Sequence, residues 1–210
     1  LFRQDWAWYR SFGAHLWQQS ICWTFILLSG YCFHLGHHRL RRGLLSLGGG
    51  ALVSAVSQVA GSPIHWGVLT LLGAAALLTI PLDPLLRRLP ARAGLAGSFC
   101  LFFLLREVNQ GYLGFEGAAL LTLPADWYQN SLTALLGFPG PDFFSADYFS
   151  LLPWLFLFWT GYFLYRLRPE GEGRELRLPL VTTLGRHSLV AYLLHQPLIY
   201  GVLWMFARVS

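Results

Sequence analysis

The sequence contains no lysine and few charged residues of any kind. Charged residues make up only 12% of the 210 positions, all 15 basic residues are arginine, and 55% of the positions are hydrophobic. A water-soluble domain usually carries about 25% charged residues, because solvated groups must cover its surface. The composition therefore excludes an ordinary soluble domain and predicts an exterior that faces lipid.

Cysteine is also scarce, and recognisable metal or nucleotide motifs are missing. Cys22, Cys32 and Cys100 lie within apolar runs and show neither metal-ligand spacing nor a disulfide framework. There is no glycine-rich nucleotide loop, Walker motif or metal-binding signature. Paired haem ligation needs two histidines at similar depth on facing helices, and His195 has no clear partner at its level. We therefore expect no metal and no haem.

Long apolar runs dominate what is present. A membrane-crossing helix needs about 17–25 mostly apolar residues. Six segments meet or approach this length: residues 17–35, 44–60, 64–82, 93–105, 151–165 and 188–207. The fourth is short and must extend through Arg106 and Glu107 to span. The sequence predicts an all-α fold, a polytopic membrane helical bundle with six transmembrane helices that forms one domain over residues 1–210. Because Leu1 is not a methionine, we also expect that the sequence starts inside a longer one.

The arginines predict how the helices are oriented. The loops 37–42, 83–92 and 166–187 contain 11 of the 15 arginines. Positive loops stay in the cytoplasm, so six spans with this asymmetry place both ends of the chain outside. The net charge of +5 does not indicate nucleic-acid binding, because the arginines form short clusters between apolar runs rather than one basic face.

The longest connection, residues 106–150, is predicted to lie outside the cytoplasm. Connections longer than about 15 residues are often binding loops or lids. Asp147 lies at its end and permits two interpretations: a carboxylate favoured by a helix N-terminus, or a base or substrate-binding group that faces an outer cavity. Arg106 and Glu107 form either a buried pair or an interfacial pair. The sequence does not separate these alternatives.

His195 occupies the least expected position. It follows Arg186 by nine residues, which places it about 13 Å into the membrane at 1.5 Å per residue. Ser188 and Tyr192 share its helix face, and Gln196 follows directly. An ionisable residue near the midplane is a candidate functional residue. The simpler interpretation is a neutral histidine that packs against a neighbouring helix.

The cytoplasmic arginines have a second use besides orientation. Arginine binds phosphate through two parallel hydrogen bonds. A cluster of four arginines near the cytoplasmic face is therefore a candidate phosphate site: Arg39, Arg41, Arg42 and Arg186.

Four stretches, in the right order along most of the chain, carry a resemblance to a known family. They are residues 24–30 (TFILLSG), 64–73 (IHWGVLTLLG), 145–154 (SADYFSLLPW) and 184–198 (LGRHSLVAYLLHQPL). These resemble two early helices, the segment before the penultimate helix, and the closing helix of the bacterial family related to the heparan-α-glucosaminide N-acetyltransferase catalytic domain. An earlier family helix with an Asp…Arg-Gly pattern has no counterpart here, so the resemblance implies a further helix before Leu1. Thr70 stands where relatives often carry histidine.

The resemblance implies a membrane-bound acyltransferase of the bacterial plasma membrane. Such an enzyme takes an acyl group, here acetyl, from acyl-CoA at the cytoplasmic face and passes it to a sugar-type or other cell-envelope acceptor outside. His195 would act as general base or would position the acyl thioester, and Asp147 would act on the acceptor side. The acyl-CoA contacts would be Arg39, Arg41, Arg42, Arg186 and Ser188. The substrate contacts would be Arg106, Glu107, Tyr192 and Gln196.

A non-enzymatic function also fits the sequence. The same polar groups near the midplane would serve a transporter or flippase for an anionic or lipid-linked solute. In either case the bilayer is the first partner, and the sequence leaves open whether the chain forms a homo-oligomer.

Overall fold

A computed structural model describes residues 11–59, 61–115 and 117–168, together with the isolated positions 190, 194 and 205. The chain divides into two compact units. One is formed by Gln19–Arg168, and the other by Leu1–Gln18 together with Pro169–Ser210. The elements, in chain order, are α1 (Phe12–Tyr31), α2 (Arg39–Val59), α3 (Val68–Arg88), α4 (Ala91–Leu104), β1 (Tyr112–Phe115), β2 (Ala118–Thr122), α5 (Ser131–Ala134) and α6 (Leu151–Arg166).

The described part is mostly helical, as the sequence predicts, but it is not all-α. Strands β1 and β2 form an antiparallel hairpin with an irregularity between Leu113 and Gly114. Gly114 and Gly117 have φ values of 148° and 90°, which glycine adopts without a Cβ penalty. A Cβ on Gly114 would lie 1.9 Å from the Ala118 carbonyl oxygen, so these glycines allow a pairing that apolar periodicity does not reveal.

Five of the six predicted segments overlap helices of the structure, namely α1, α2, α3, α4 and α6. Among the described helices, α3 alone has both the length and the hydropathy that a membrane crossing requires. Helix α4 does not continue through Arg106 and Glu107, as the fourth predicted segment required. It ends at Leu104, and the Arg106 N–H bonds to the Phe103 oxygen in a tighter turn. The sixth predicted segment, 188–207, lies outside the described residues apart from three isolated positions.

Glycines let the helices approach one another closely. A Cβ on Gly161 of α6 would lie 2.0 Å from the Leu27 carbonyl oxygen of α1, and one on Gly30 would lie 1.9 Å from the Phe158 oxygen. Between α2 and α3, a Cβ on Gly50 would lie 2.4 Å from the Thr70 hydroxyl. Small residues at helix contacts are typical of membrane proteins, because close backbone approach maximises van der Waals contact where no hydrophobic force acts between helices.

Helix α3 extends beyond the segment predicted for it and includes Pro81 and Pro84. Its C-terminal carbonyls are satisfied by α6: the Arg166 guanidinium donates to the Leu86 oxygen at 2.9 Å and the Leu89 oxygen at 3.1 Å. The last turn of a helix leaves such carbonyls without partners of its own. A cation there also interacts favourably with the helix dipole.

Candidate functional site

Asp147 lies on a segment that runs beside the connection between α2 and α3. The Ala146 N–H donates to the Pro63 oxygen at 3.0 Å, and the Phe149 N–H donates to the Trp66 oxygen at 2.9 Å. These two backbone bonds hold the segment before α6 against the residues that lead into α3.

This arrangement brings the Asp147 carboxylate to the N-terminus of α3. A Cβ on Gly67, the residue before α3, would lie 3.3 Å from Oδ2 of Asp147. Burial raises the pKa of this carboxyl above its usual range, and a hydrogen bond from the Val68 backbone N–H opposes that shift. The sequence places Asp147 just before α6, yet the helix terminus that it faces belongs to α3. A half-buried carboxylate with a raised pKa can accept and return a proton.

Ser145 joins the same two segments and positions His65. Its hydroxyl accepts a bond from the His65 backbone N–H at 2.9 Å and lies 2.9 Å from the His65 carbonyl oxygen, to which it can donate. Neither Ser145 nor Trp66 is among the site residues predicted from the sequence. Both act through contacts between segments about 80 residues apart, and no local pattern in the sequence signals such contacts.

Arg106 lies at the same end of this unit as Asp147. Its guanidinium donates to Gln19 Oε1 at 3.0 Å and lies over the Trp154 ring, 4.9 Å from the ring centre. Electrostatic interactions join the Cys22 thiol to both Asp147 and Arg106. Two residues of the predicted acceptor side therefore lie near the same thiol, at one end of this unit. Glu107 directly follows Arg106 in the sequence and is buried, with 8% of its surface exposed.

A second polar cluster lies at the opposite end of α3. The Asp83 carboxylate accepts hydrogen bonds from Arg39 at 3.3 Å and from the Tyr162 hydroxyl at 2.6 Å, and it lies 2.9 Å from Arg87. Because these partners come from α2, α6 and α3, one carboxylate ties three helices together. His34 packs on Tyr162 with ring centres 4.3 Å apart, and its Nε2 is buried with no hydrogen-bond partner among the described residues.

The predicted phosphate-binding arginines are therefore not equivalent. Arg39 is held by Asp83 and lies over the Phe33 ring at 4.7 Å, whereas Arg41 and Arg42 are exposed. Five predicted site residues lie outside the described residues: His195, Arg186, Ser188, Tyr192 and Gln196. Within the described ranges, no three His, Cys, Asp or Glu residues are grouped as metal ligands.

Replacing Asp83 by asparagine is expected to destabilise the unit. Asparagine has no charge and only one acceptor oxygen, whereas Asp83 uses Oδ1 for Tyr162 and Oδ2 for Arg39 and Arg87. Hydrogen bonds to charged groups contribute roughly 1.5–3 kcal/mol each. We expect the free energy of unfolding to fall by about 1–3 kcal/mol. The contribution of Arg87 is small, because its side chain is largely exposed and solvent screens the ion pair. Thermal unfolding of the full chain in lipid nanodiscs measures this. Asp142→Asn, which changes an exposed carboxylate, is the matched control, and an equal midpoint for both variants would contradict the role given to Asp83.

With this geometry in place, the comparisons with known proteins identify the family. A family model described as heparan-alpha-glucosaminide N-acetyltransferase, catalytic, matches residues 3–197. The chain belongs to this family, which is membrane-associated. Membership indicates, in general terms, acetyltransferase activity with acetyl-CoA as co-substrate. No curated protein and no solved structure matches the chain. The resemblance stated from the sequence is confirmed, and the family does not favour the transporter alternative.

Proposed function

We propose that the protein is a membrane-bound acyltransferase that moves an acetyl group from cytoplasmic acetyl-CoA to a sugar-type acceptor outside. The family match over residues 3–197 is the observation that carries this proposal. The positions of the charged groups support it. The half-buried carboxylate Asp147 lies near the start of α3, whereas the exposed residues Arg41 and Arg42 lie in the first turn of α2. Donor phosphates and acceptor would thus bind at opposite ends of the helices.

The proposal includes a topology. The chain forms one domain with six spans and both ends outside, in a bacterial plasma membrane. Helix α3 supports this orientation, because its N-terminus adjoins Asp147 and its last turn carries Arg87 and Arg88. Its 21 residues correspond to a length of about 30 Å, which is the thickness of the hydrocarbon core.

The chemistry needs a base and a bound thioester. An acceptor amine or hydroxyl attacks the thioester carbonyl carbon, a C–N or C–O bond forms, the C–S bond breaks, and coenzyme A leaves as a thiolate. The base takes the proton that the acceptor loses, and that proton passes to the thiolate or to solvent. His195 serves as this base or positions the thioester, while Asp147, with Arg106 and Glu107, orients the acceptor. Arg39, Arg41, Arg42, Arg186 and Ser188 hold the coenzyme A.

Incubation of the full chain in lipid nanodiscs with acetyl-CoA and glucosamine acceptors tests the proposal. We expect acceptor-dependent release of free coenzyme A and a product heavier by one acetyl group. In sealed vesicles, solute uptake without release of coenzyme A would instead indicate a transporter and would overturn the enzymatic assignment.

The donor site makes a separate prediction. Replacing Arg41 and Arg42 together by alanine is expected to weaken acetyl-CoA binding by roughly ten-fold or more, because each charged hydrogen bond to phosphate contributes about 1.5–3 kcal/mol. The loss should be larger at low salt, where charges are less screened. Equilibrium binding of acetyl-CoA at two salt concentrations measures this.

Arg88 and Arg92 provide the matched control for the donor site. Both are exposed and belong to the loop predicted to lie on the same side of the membrane. Their double replacement by alanine should have a clearly smaller effect. Equal losses for the two pairs would show that general positive charge, rather than a site at Arg41 and Arg42, attracts the coenzyme.

A further inference from the structure

A groove of about 660 Å³ runs along α2 toward the start of α3. This volume lies within the roughly 300–1,000 Å³ that is usual for small-molecule sites. The α2 residues that line it extend from Leu47 to Gln58, a distance of about 16 Å at 1.5 Å per residue. The groove is therefore elongated along the helix and lies on the half of α2 that leads toward Asp147.

The lining becomes more polar along this length. Leu47, Gly48 and Ala51 form the first part, with the largely buried Thr70 of α3 beside it, and Ser54 and Ala55 follow. At the far end the groove is lined by three groups that can form hydrogen bonds: Gln58, His65 and Trp66. An amphiphile with an apolar chain and a polar head matches this order. A uniformly polar solute matches only the far end.

Trp66 is held at the polar end in an unusual conformation. Its φ of 56° lies in the left-handed region, which is rare for a bulky residue and costs on the order of 1–3 kcal/mol. Such outliers persist where the surroundings impose them, and they concentrate at binding and active sites. Here the Phe149 N–H holds the Trp66 carbonyl, and Gly67, beside the Asp147 carboxylate, follows directly.

We propose that this groove binds the acceptor as a lipid-linked sugar, with its hydrocarbon chain along Gly48 and Ala51 and its sugar between His65 and Trp66. This inference rests on the proposed function and adds the class of acceptor and the place where it binds. A membrane-dissolved acceptor enters such a groove laterally from the bilayer. Tryptophan suits the boundary because it has a large apolar body and one polar N–H. The sugar then lies next to Asp147, which belongs to the acceptor side.

Glycosides that differ only in chain length test the apolar part of the groove. The probes are dodecyl glucosaminide and methyl glucosaminide, and their binding to the full chain in lipid nanodiscs is measured without a donor. Each buried methylene contributes about 0.8 kcal/mol, or about four-fold in affinity. We expect the dodecyl glycoside to bind at least about ten-fold more tightly than the methyl glycoside, after correction for partition into empty nanodiscs. Equal affinities would overturn the proposal.

Two glycines provide a matched pair of variants for locating the chain. A Cβ at Gly48 of α2, or at Gly97 of α4, meets no atom within 4 Å, so a side chain can be introduced at either position without a clash at its first carbon. Gly48→Leu fills the groove and should lower the affinity for dodecyl glucosaminide by about ten-fold, with a smaller loss for the methyl glycoside. Gly97→Leu should leave both affinities unchanged. Equal effects of the two variants would place the chain elsewhere.

A photoreactive dodecyl glucosaminide with a diazirine at its chain end locates the site independently. Cross-links should concentrate in the peptide that contains Gly48 and Ala51, and cross-links confined to other helices would contradict the proposal. Trp66→Gly, which removes the ring but tolerates the positive φ, should abolish the preference for dodecyl glucosaminide over dodecanol. Because these measurements need no turnover, binding in the groove without acetyl transfer would refute the proposed function alone. Transfer without binding in the groove would refute only this inference.

Discussion

Replacing His195 by alanine is expected to lower acetyl transfer by about 10²–10⁴-fold. General acid–base assistance contributes about this factor to a rate. The sequence predicts that His195 lies near the membrane midplane, which the thioester end of a coenzyme A bound by cytoplasmic arginines can approach. The rate of coenzyme A release, with insertion and purification yield measured in parallel, gives the result.

His195→Gln separates the chemical function of the imidazole from its packing. Glutamine keeps a hydrogen-bonding side chain but cannot titrate, so it should be nearly as inactive as alanine while binding acetyl-CoA normally. If glutamine restores near-native turnover, the imidazole positions the thioester or packs, and another residue is the base. If both variants fail to fold, circular dichroism and yield will show it, and His195 is then a structural residue.

The sequence predicts the positions of the described helices well, because hydrophobic length and arginine clusters are local signals. The arginine clusters did not predict where the helices end, because α2 begins at Arg39 and α3 continues to Arg88, both within stretches that were predicted to be loops. The β1–β2 hairpin was missed because its residues are apolar and its turn depends on glycine conformation rather than on periodicity. The predicted extension of α4 through Arg106 and Glu107 was also wrong, because it was inferred from the length that a helix needs to cross a membrane. The helix ends at Leu104.

The polar contacts were harder to predict than the helices. Asp83 was assigned to a cytoplasmic loop because it follows the apolar segment 64–82 and precedes a cluster of arginines. A membrane helix can tolerate proline when neighbouring groups satisfy the freed carbonyls, and α3 continues to Arg88. The contact between Asp83 and Tyr162 joins residues 79 positions apart. Such pairs depend on which helix faces meet, and a single sequence does not reveal this.

Asp147 shows the same limit at the candidate site. Its position before α6 suggested a carboxylate at the N-terminus of that helix. In the structure, the pairing of residues 145–149 with residues 63–66 delivers it to α3 instead. Residue type and predicted side of the membrane were sufficient to select Asp147 as a candidate. The contacts of Asp147 depend on how the connection before α6 packs against the connection between α2 and α3, and the sequence does not show this packing.

Asp147→Asn is expected to reduce acetyl transfer by about 10²-fold or more, if the carboxylate exchanges a proton or holds the acceptor. The change is nearly isosteric, and the asparagine oxygen can still accept the Val68 N–H, so the fold should persist. Asp142→Asn alters an exposed carboxylate of the same connection and should remain fully active. Comparable rates for the two variants would remove Asp147 from the acceptor site.

The pH dependence tests the same residue without relying on loss of activity alone. Burial raises the pKa of Asp147, so the folded protein holds a proton on this carboxyl at pH values where the unfolded chain has lost it. The free energy of unfolding should therefore fall as pH rises from about the ordinary carboxyl pKa of 3.8 through the raised folded value, and then level off. In the wild type, acetyl transfer should rise over the same interval as the carboxylate ionises. Asp147→Asn should lose this contribution to stability, and the acidic limb of its residual activity should lose the part that comes from Asp147 and keep only the part that comes from the base. An unchanged acidic limb in that variant would assign the titration to another group.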